Sequence, residues 1–198
     1  MEHYFSENPK AAASERTFSA LLRGNRLSFV SSGGVFSKSG IDKGTELLIE
    51  KCIMQDGWRV LDLGCGYGVV GVSIAKAFNV EVVMSDVNER ALLLTGKNLE
   101  RNGCTAKAIK SSGYDSLSDF KGMFDSILVN PPQKAGKKVC FRMIDDAPLF
   151  LKKRGFLQVV ARPRHGGNSL AAEMQGVFGN CEKIAEKGNF AVYASMKK

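Results

Sequence analysis

Two stretches of this chain have residue types and spacing suited to chemistry: Val60-Leu61-Asp62-Leu63-Gly64-Cys65-Gly66-Tyr67-Gly68 and, further on, Asn130-Pro131-Pro132. The first is an apolar run that reads as a buried strand, with an acid near its end and glycines in the turn that follows. Glycines let the backbone approach a ligand closely and adopt φ > 0. In open α/β sheets, ligands lie beyond the carboxyl ends of the strands. The second stretch puts a carboxamide at another strand end, followed by two prolines that fix the chain and supply carbonyls without a competing N–H. The pair predicts a pocket for S-adenosylmethionine (AdoMet) with a clamp for a planar amine beside it.

Gly66-Tyr67-Gly68-Val69-Val70-Gly71 also satisfies the dinucleotide pattern GxGxxG, so an NAD or FAD enzyme is the rival. Asp62 argues against it. A carboxylate there would repel a pyrophosphate, whereas the sulfonium and ammonium of AdoMet carry positive charge. Asp86 ends the next apolar run, where an acid can accept hydrogen bonds from both ribose hydroxyls. Its alternative is a helix cap, a task Asn88 could perform instead. Ser112-Gly113-Tyr114 ends the third strand, where Ser112 could meet the adenine and the Tyr114 ring could lie over it or pack in the loop. The expected cofactor set is Asp62, Gly64, Cys65, Gly66, Gly68, Asp86, Val87, Ser112, Gly113, Tyr114 and, at the clamp, Asn130.

An exocyclic base amine or a carboxamide is a poor nucleophile because its lone pair is delocalised. Accepting both of its N–H bonds, with the Asn130 side-chain oxygen and the Pro131 carbonyl, favours a pyramidal nitrogen that can attack a methyl group in line. Positioning and electrostatics then carry the rate, with no obligatory strong base. Asn130, Pro131 and Pro132 are therefore the expected catalytic residues. As bare sequence, Asn-Pro also reads as a strand-ending turn; its place after the glycine loop and two further βα units favours the clamp.

The elements that position these residues follow from periodicity. Residues 17–22 and 26–30 around Arg23-Gly24-Asn25 predict a β-hairpin. Asp42 or Thr45 could cap the helix that carries Leu47, Leu48 and Ile49. Strands are expected over 59–63, 80–85, 106–110, 125–129 and 155–161, and helices over 69–78, 89–101, 138–151 and 169–178. Residues 182–186 and 190–195 should close as an antiparallel pair. This alternation predicts an α/β fold, a Rossmann-like, seven-stranded, mostly parallel sheet. Residues 1–42 form an N-terminal extension with the hairpin, and residues 43–198 the catalytic domain.

A net charge of +8, from 28 basic and 20 acidic residues, favours a polyanionic partner through phosphate contacts, or else marks a solvated basic surface. Lys134, Lys137, Arg162 and Arg164 fall in loops bordering the expected mouth and are candidates for phosphate contacts. Lys152-Lys153-Arg154 reads as a solvated turn on the opposite edge, and His165 as a loop residue. Five scattered cysteines without a CxxC pair, and two histidines, point to reduced thiols in a cytoplasmic protein with no metal site. No apolar run is long enough to span a bilayer. A single basic domain suggests a monomer.

The chain resembles class I methyltransferases of the "methyltransferase small" group, nearest to the guanine-N2 methyltransferases of small-subunit ribosomal RNA and their short archaeal-type relatives. The resemblance is carried by Gly34-Val35-Phe36-Ser37, Ile41-Asp42-Lys43-Gly44-Thr45, residues 61–68, Asp86, Asn130-Pro131-Pro132 and Lys134-Ala135-Gly136-Lys137, and it covers nearly the whole chain. Bacterial members carry two tandem halves, of which this chain matches the catalytic one. The resemblance implies AdoMet-dependent methylation of an exocyclic amine, guanine N2 in ribosomal RNA, with Phe36 lining the cofactor and target pocket; bare sequence makes Phe36 a core residue. Gln133 stands where the family usually has a stacking side chain, and Ser112 where it has an acid on the adenine side. A transfer RNA base, a protein glutamine, or a catalytically silent AdoMet-binding assembly factor are the alternatives.

Overall fold

A computed structural model of the chain describes residues 15–32, 40–132 and 135–198. Strands β1 (Glu15–Leu22) and β2 (Asn25–Ser32) pair antiparallel. Their turn has φ of 48° at Arg23 and 74° at Gly24, the left-handed pair whose twist suits a two-residue hairpin. Helix α1 (Lys43–Lys51) starts at Asp42, whose side chain accepts from the Gly44 and Thr45 backbone N–H groups. The alternating part follows as β3 (Arg59–Leu63), α2 (Val69–Ala77), β4 (Glu81–Asp86), α3 (Glu89–Arg101), β5 (Lys107–Lys110), β6 (Phe124–Val129), α4 (Lys137–Asp145), α5 (Ala147–Phe150), β7 (Leu151–Ala161), α6 (Gly167–Phe178), β8 (Glu182–Lys187) and β9 (Phe190–Met196).

The seven-stranded sheet has the order β5-β4-β3-β6-β7-β9-β8. The first five strands in that order run parallel, and β9 is antiparallel to both of its neighbours. This is the class I methyltransferase fold, with the hairpin added. The chain turns from β3 to β4 on one side and later returns to β6 on the other. The crevice between β3 and β6 is thus a topological switch point, where an α/β sheet opens a ligand site.

The central strands are apolar on both faces, because helices cover both. Val60, Val82, Met84 and Leu128 pack toward the hairpin, α1, α2 and α3. Leu61, Leu63, Val83, Ile127 and Val129 pack toward α4, α5 and α6. Helix α3 is one of the elements that join the hairpin to the body. Asn98 donates to the Val30 carbonyl (3.0 Å) and accepts from the Val30 N–H (2.7 Å), and Asn102 treats Ser28 the same way at 2.8 and 2.9 Å. The two asparagines, one helical turn apart, satisfy the open edge of β2 as a neighbouring strand would.

Two sequence expectations need correction. Residues 138–151 are not one helix. The chain bends at Asp146, α5 begins with Pro148 in its first turn, and Leu151 already pairs with Phe124 in the sheet. Lys152-Lys153-Arg154 is not a turn before the strand but a bulge within β7: pairing with β6 resumes only at Ser126 and Phe156, and Arg154 has φ 66°. Gly155 closes the bulge so tightly that a Cβ would sit 2.9 Å from the Phe124 carbonyl oxygen.

Candidate active site

At the carboxyl ends of β3, β4 and β6 the glycine loop folds back on the sheet. The N–H groups of Gly64 and Cys65 both donate to the Ser85 carbonyl, at 2.8 and 2.9 Å. Gly64, Gly66 and Gly68 have φ of 75°, 58° and 86°, conformations that side chains resist. From behind, α3 holds the loop: Thr95 donates to the Gly66 carbonyl (3.0 Å) and Asn98 to the Tyr67 carbonyl (2.8 Å). Gly68 packs on Thr95, where a Cβ would approach to 3.0 Å, and begins α2.

Two carboxylates flank the loop. Asp86 accepts from the Gly66 N–H (2.8 Å) with one oxygen and from the Asn88 N–H (2.9 Å) with the other. Asn88 itself caps α3, so Asp86 does not act as the cap. Asp62 is 3% exposed and accepts from the Gly71 N–H at 2.9 Å. Burial raises its pKa from 3.8 to about 7, against the opposing Gly71 hydrogen bond and with a further contribution from Asp86. Burial also raises Asp86, against three backbone N–H groups. No ion pair with a basic side chain offsets either charge among the described residues. The pair therefore makes a site that a bound cation would relieve.

A cavity of about 260 Å³ opens between this loop and the clamp. Of the sequence-expected residues, Asp62, Gly64, Cys65, Gly66, Asp86, Val87, Ser112, Gly113, Asn130, Pro131 and Pro132 line it together. Gly68 supports the loop without lining the cavity. Tyr114 is buried elsewhere: its ring stacks on Phe150 at 4.5 Å, and its hydroxyl donates to the Met143 carbonyl at 2.9 Å. The reading of that ring over an adenine is thereby corrected in favour of packing, because Phe150 and the Met143 carbonyl satisfy both its apolar face and its hydroxyl. Phe36, Gln133 and Lys134 lie outside the described residues. Lys137, Arg162 and Arg164 are exposed. Arg162 follows the carboxyl end of β7 and stacks its guanidinium on Phe190 at 4.8 Å. Phe190 in turn covers Gly44, where a Cβ would meet the ring at 2.6 Å. This stack seats Arg162 beside the start of α1.

Sequence reasoning missed part of the wall. Thr45 lines the cavity on the clamp side, with Ala135, Val139 and Met143 from the α4 side. Asn130 donates its amide N–H groups to Thr45 Oγ1 (2.8 Å) and Asp42 Oδ2 (3.2 Å), and the Thr45 hydroxyl donates to the same Asp42 oxygen. Asp42 and Thr45 were both visible as helix-start residues, but their second use depends on a partner 85 or more positions away.

The cavity fits AdoMet by its chemistry. Glycine backbone admits close approach, two buried acids have no ion pair with a basic side chain among the described residues, and an apolar wall lies opposite. The methyltransferase small domain model matches residues 26–194. The chain belongs to this family. Membership makes it an AdoMet-dependent methyltransferase of class I fold. It is 37% identical over 200 residues to the uncharacterized protein YbxB of Bacillus subtilis, covering 99% of this chain and 98% of that one. It is also 37% identical over 170 residues to ribosomal RNA small subunit methyltransferase C of Shewanella denitrificans, covering 83% of this chain but 47% of that protein. Among solved structures, the T. thermophilus 16S rRNA N2-guanine methyltransferase RsmC, in complex with AdoMet and guanosine, superposes with a TM-score of 0.83. That match has 27% identity over 96% of this chain and 52% of the other. The chain thus spans about half the length of these RNA methyltransferases and nearly all of YbxB. A Lactobacillus ribosomal protein L11 methylase, 19% identical with a TM-score of 0.61, shares the fold.

Proposed function

We propose that this chain methylates the exocyclic N2 amine of guanine in ribosomal RNA. The observation that carries the reading is the shared wall: Asn130 and Pro131 line the same cavity as the glycine loop, Asp62 and Asp86. When bound there, AdoMet supplies an electrophilic methyl group on a sulfonium. Asn130 Oδ1 and the Pro131 carbonyl accept the two N–H bonds of the target amine and turn its lone pair toward the methyl. Asp86 receives the ribose hydroxyls, Asp62 complements positive charge, and Ser112 and Gly113 border the adenine. The clamp leaves the rate to positioning and electrostatics rather than to a strong base.

Several features favour RNA as the partner. The chain carries a net charge of +8, and Lys137, Arg162 and Arg164 stand exposed on the clamp side. A methyltransferase C of bacterial small subunits aligns with most of the chain. The target base must be flipped out, or already unpaired, to reach the cavity. All five cysteines are free thiols, as a reducing compartment such as the cytoplasm would keep them, and we take the chain to act there as a monomer.

The test is transfer of radiolabel from AdoMet to total RNA, small ribosomal subunits and ribosomal proteins, followed by nucleoside and amino-acid analysis, for wild type and Asn130→Ala. Label in N2-methylguanosine is expected. The variant should lose about 100-fold or more in kcat while keeping its AdoMet affinity. Label in a transfer RNA base or in protein glutamine would replace the substrate, and AdoMet binding without any label would replace the enzyme by a silent assembly factor.

A further inference from the structure

We propose that Asp42, acting with Thr45, is a positioning residue that sets which atom of the Asn130 amide faces the target amine. The inference rests on the clamp reading above and deepens it. A carboxamide is nearly symmetric in shape, and its two ends have opposite hydrogen-bonding character. Turned one way, Asn130 offers the acceptor the clamp needs. Turned the other way, it offers a donor that repels an N–H.

The hydrogen bonds around Asn130 permit only the first. Asp42 can accept but not donate when ionised. The Thr45 hydroxyl has one proton and gives it to Asp42 Oδ2, so toward Asn130 that hydroxyl can only accept. Asn130 must therefore present its amide nitrogen to both, at 2.8 Å to Thr45 Oγ1 and 3.2 Å to Asp42 Oδ2. Oδ1 is left over, and among the described residues it accepts no hydrogen bond. Polarity is thus passed from an acid to a hydroxyl to an amide, and the amide's remaining end is an acceptor in the cavity wall.

Helix capping alone does not explain this use of Asp42. The cap is made by Oδ1, which accepts from the Gly44 and Thr45 N–H groups at 2.9 and 3.2 Å. Oδ2 is the oxygen committed to Thr45 and Asn130. Asparagine caps helices as well as aspartate, so Asp42→Asn keeps the cap and removes only the second acceptor. The amide introduced at position 42 would donate toward position 130 and favour the flipped Asn130.

The experiment measures kcat, the AdoMet Kd and the melting temperature of full-length variants, with the RNA found to accept label. Asp42→Asn should lose about 30-fold or more in kcat, with the AdoMet Kd within about threefold and the melting temperature close to wild type. Thr45→Val should lose activity and Thr45→Ser should retain it. The decisive readout is the double variant Asp42→Asn with Asn130→Asp. There the introduced amide can donate to the introduced carboxylate, which again turns an acceptor toward the target, so kcat should recover about tenfold over Asp42→Asn alone. A double variant no better than Asp42→Asn, or an Asp42→Asn enzyme as active as wild type, overturns the proposal. So does a loss of kcat that merely tracks a fall in melting temperature. Asn130→Ala serves as the reference: if it is fully active, the clamp reading itself fails, whereas an inactive Asn130→Ala beside an active Asp42→Asn sinks only the orienting role.

Discussion

Replacing Asp62 by asparagine should stabilise the ligand-free protein and weaken its hold on AdoMet. The side chain is 3% exposed, accepts one backbone N–H from Gly71 and lies near Asp86, with no ion pair to a basic side chain among the described residues. Burial lifts its pKa to about 7, against 3.8 for the free group. Between those values the folded chain holds a proton that the unfolded chain has released. Stability therefore falls as pH rises through that window, and the whole penalty is present above about pH 7. Some three pH units at 1.36 kcal/mol each set a ceiling of about 4 kcal/mol, and relaxation around the charge reduces this to about 1–3 kcal/mol. Asparagine preserves the shape and the acceptor for Gly71 but cannot ionise.

The ligand reverses the sign. A cationic ligand favours the carboxylate, so wild-type affinity for AdoMet should rise with pH up to about 7, and the variant should bind about 10-fold to 100-fold more weakly at pH 7.5 with a flat pH profile over this range. Urea unfolding at pH 4 and pH 8 measures the first effect, and calorimetric titration across pH 5.5–7.5 the second. The variant should exceed wild type in stability at pH 8, and the gap should close toward pH 4. A gap that does not change with pH, or an affinity indifferent to the substitution, would refute the account of Asp62 as an uncompensated buried acid.

Three further outcomes follow from the geometry. Asn98→Ala removes three hydrogen bonds that join β2 and the glycine loop to α3, and should cost about 2–4 kcal/mol in urea unfolding while lowering AdoMet affinity. Tyr114→Phe should cost about 1–2 kcal/mol through the lost bond to Met143, and Tyr114→Leu, which removes the ring as well, should still leave the AdoMet Kd unchanged; a large loss of affinity in the leucine variant would restore the ring to the cofactor site. Arg162→Ala should weaken RNA binding across sequences and lower the salt dependence by about one counterion, with AdoMet binding untouched in a filter or fluorescence titration.

Much of this architecture is legible in sequence because it rests on local signals. Apolar runs set off by Gly57 and Gly64, by Asn79 and Asp86, and by Gly122 and Asn130 place β3, β4 and β6, and the order of glycine loop, Asp86 and Asn-Pro-Pro places their carboxyl ends on one cavity. The misreadings share a physical cause. Lys152-Lys153-Arg154 looks like a turn from its charge, yet it is held in a strand because Leu151 pairs with Phe124 before the bulge and Phe156 with Ser126 after it. Tyr114 could have faced the cavity or the core, and the choice was made by Phe150 and the Met143 carbonyl, which no local pattern places nearby. Asp42 and Thr45 were readable as helix-start residues, but not as the partners of Asn130.

The hairpin matters to this site both by direct contact, since Phe18 and Phe29 meet the cavity-lining Tyr67 ring edge-on at 6.2 and 6.3 Å, and through helices. Arg23, at the hairpin turn, donates to the Ile49 and Cys52 carbonyls at 2.6 and 2.8 Å, closing the carboxyl end of α1, and its N–H bonds Glu50 at 2.6 Å. The other end of α1 carries Asp42 and Thr45. A nine-residue helix is about 14 Å long, so the hairpin and Asn130 are fixed to opposite ends of one short rod. By a second path, Asn98 bonds β2 on one side and the Tyr67 carbonyl on the other, so the same hairpin braces the glycine loop. The side-chain acceptor of the clamp and the loop opposite it are therefore referenced to one antiparallel pair of strands. That common reference suits a reaction whose rate depends on the alignment of a nitrogen with a methyl group.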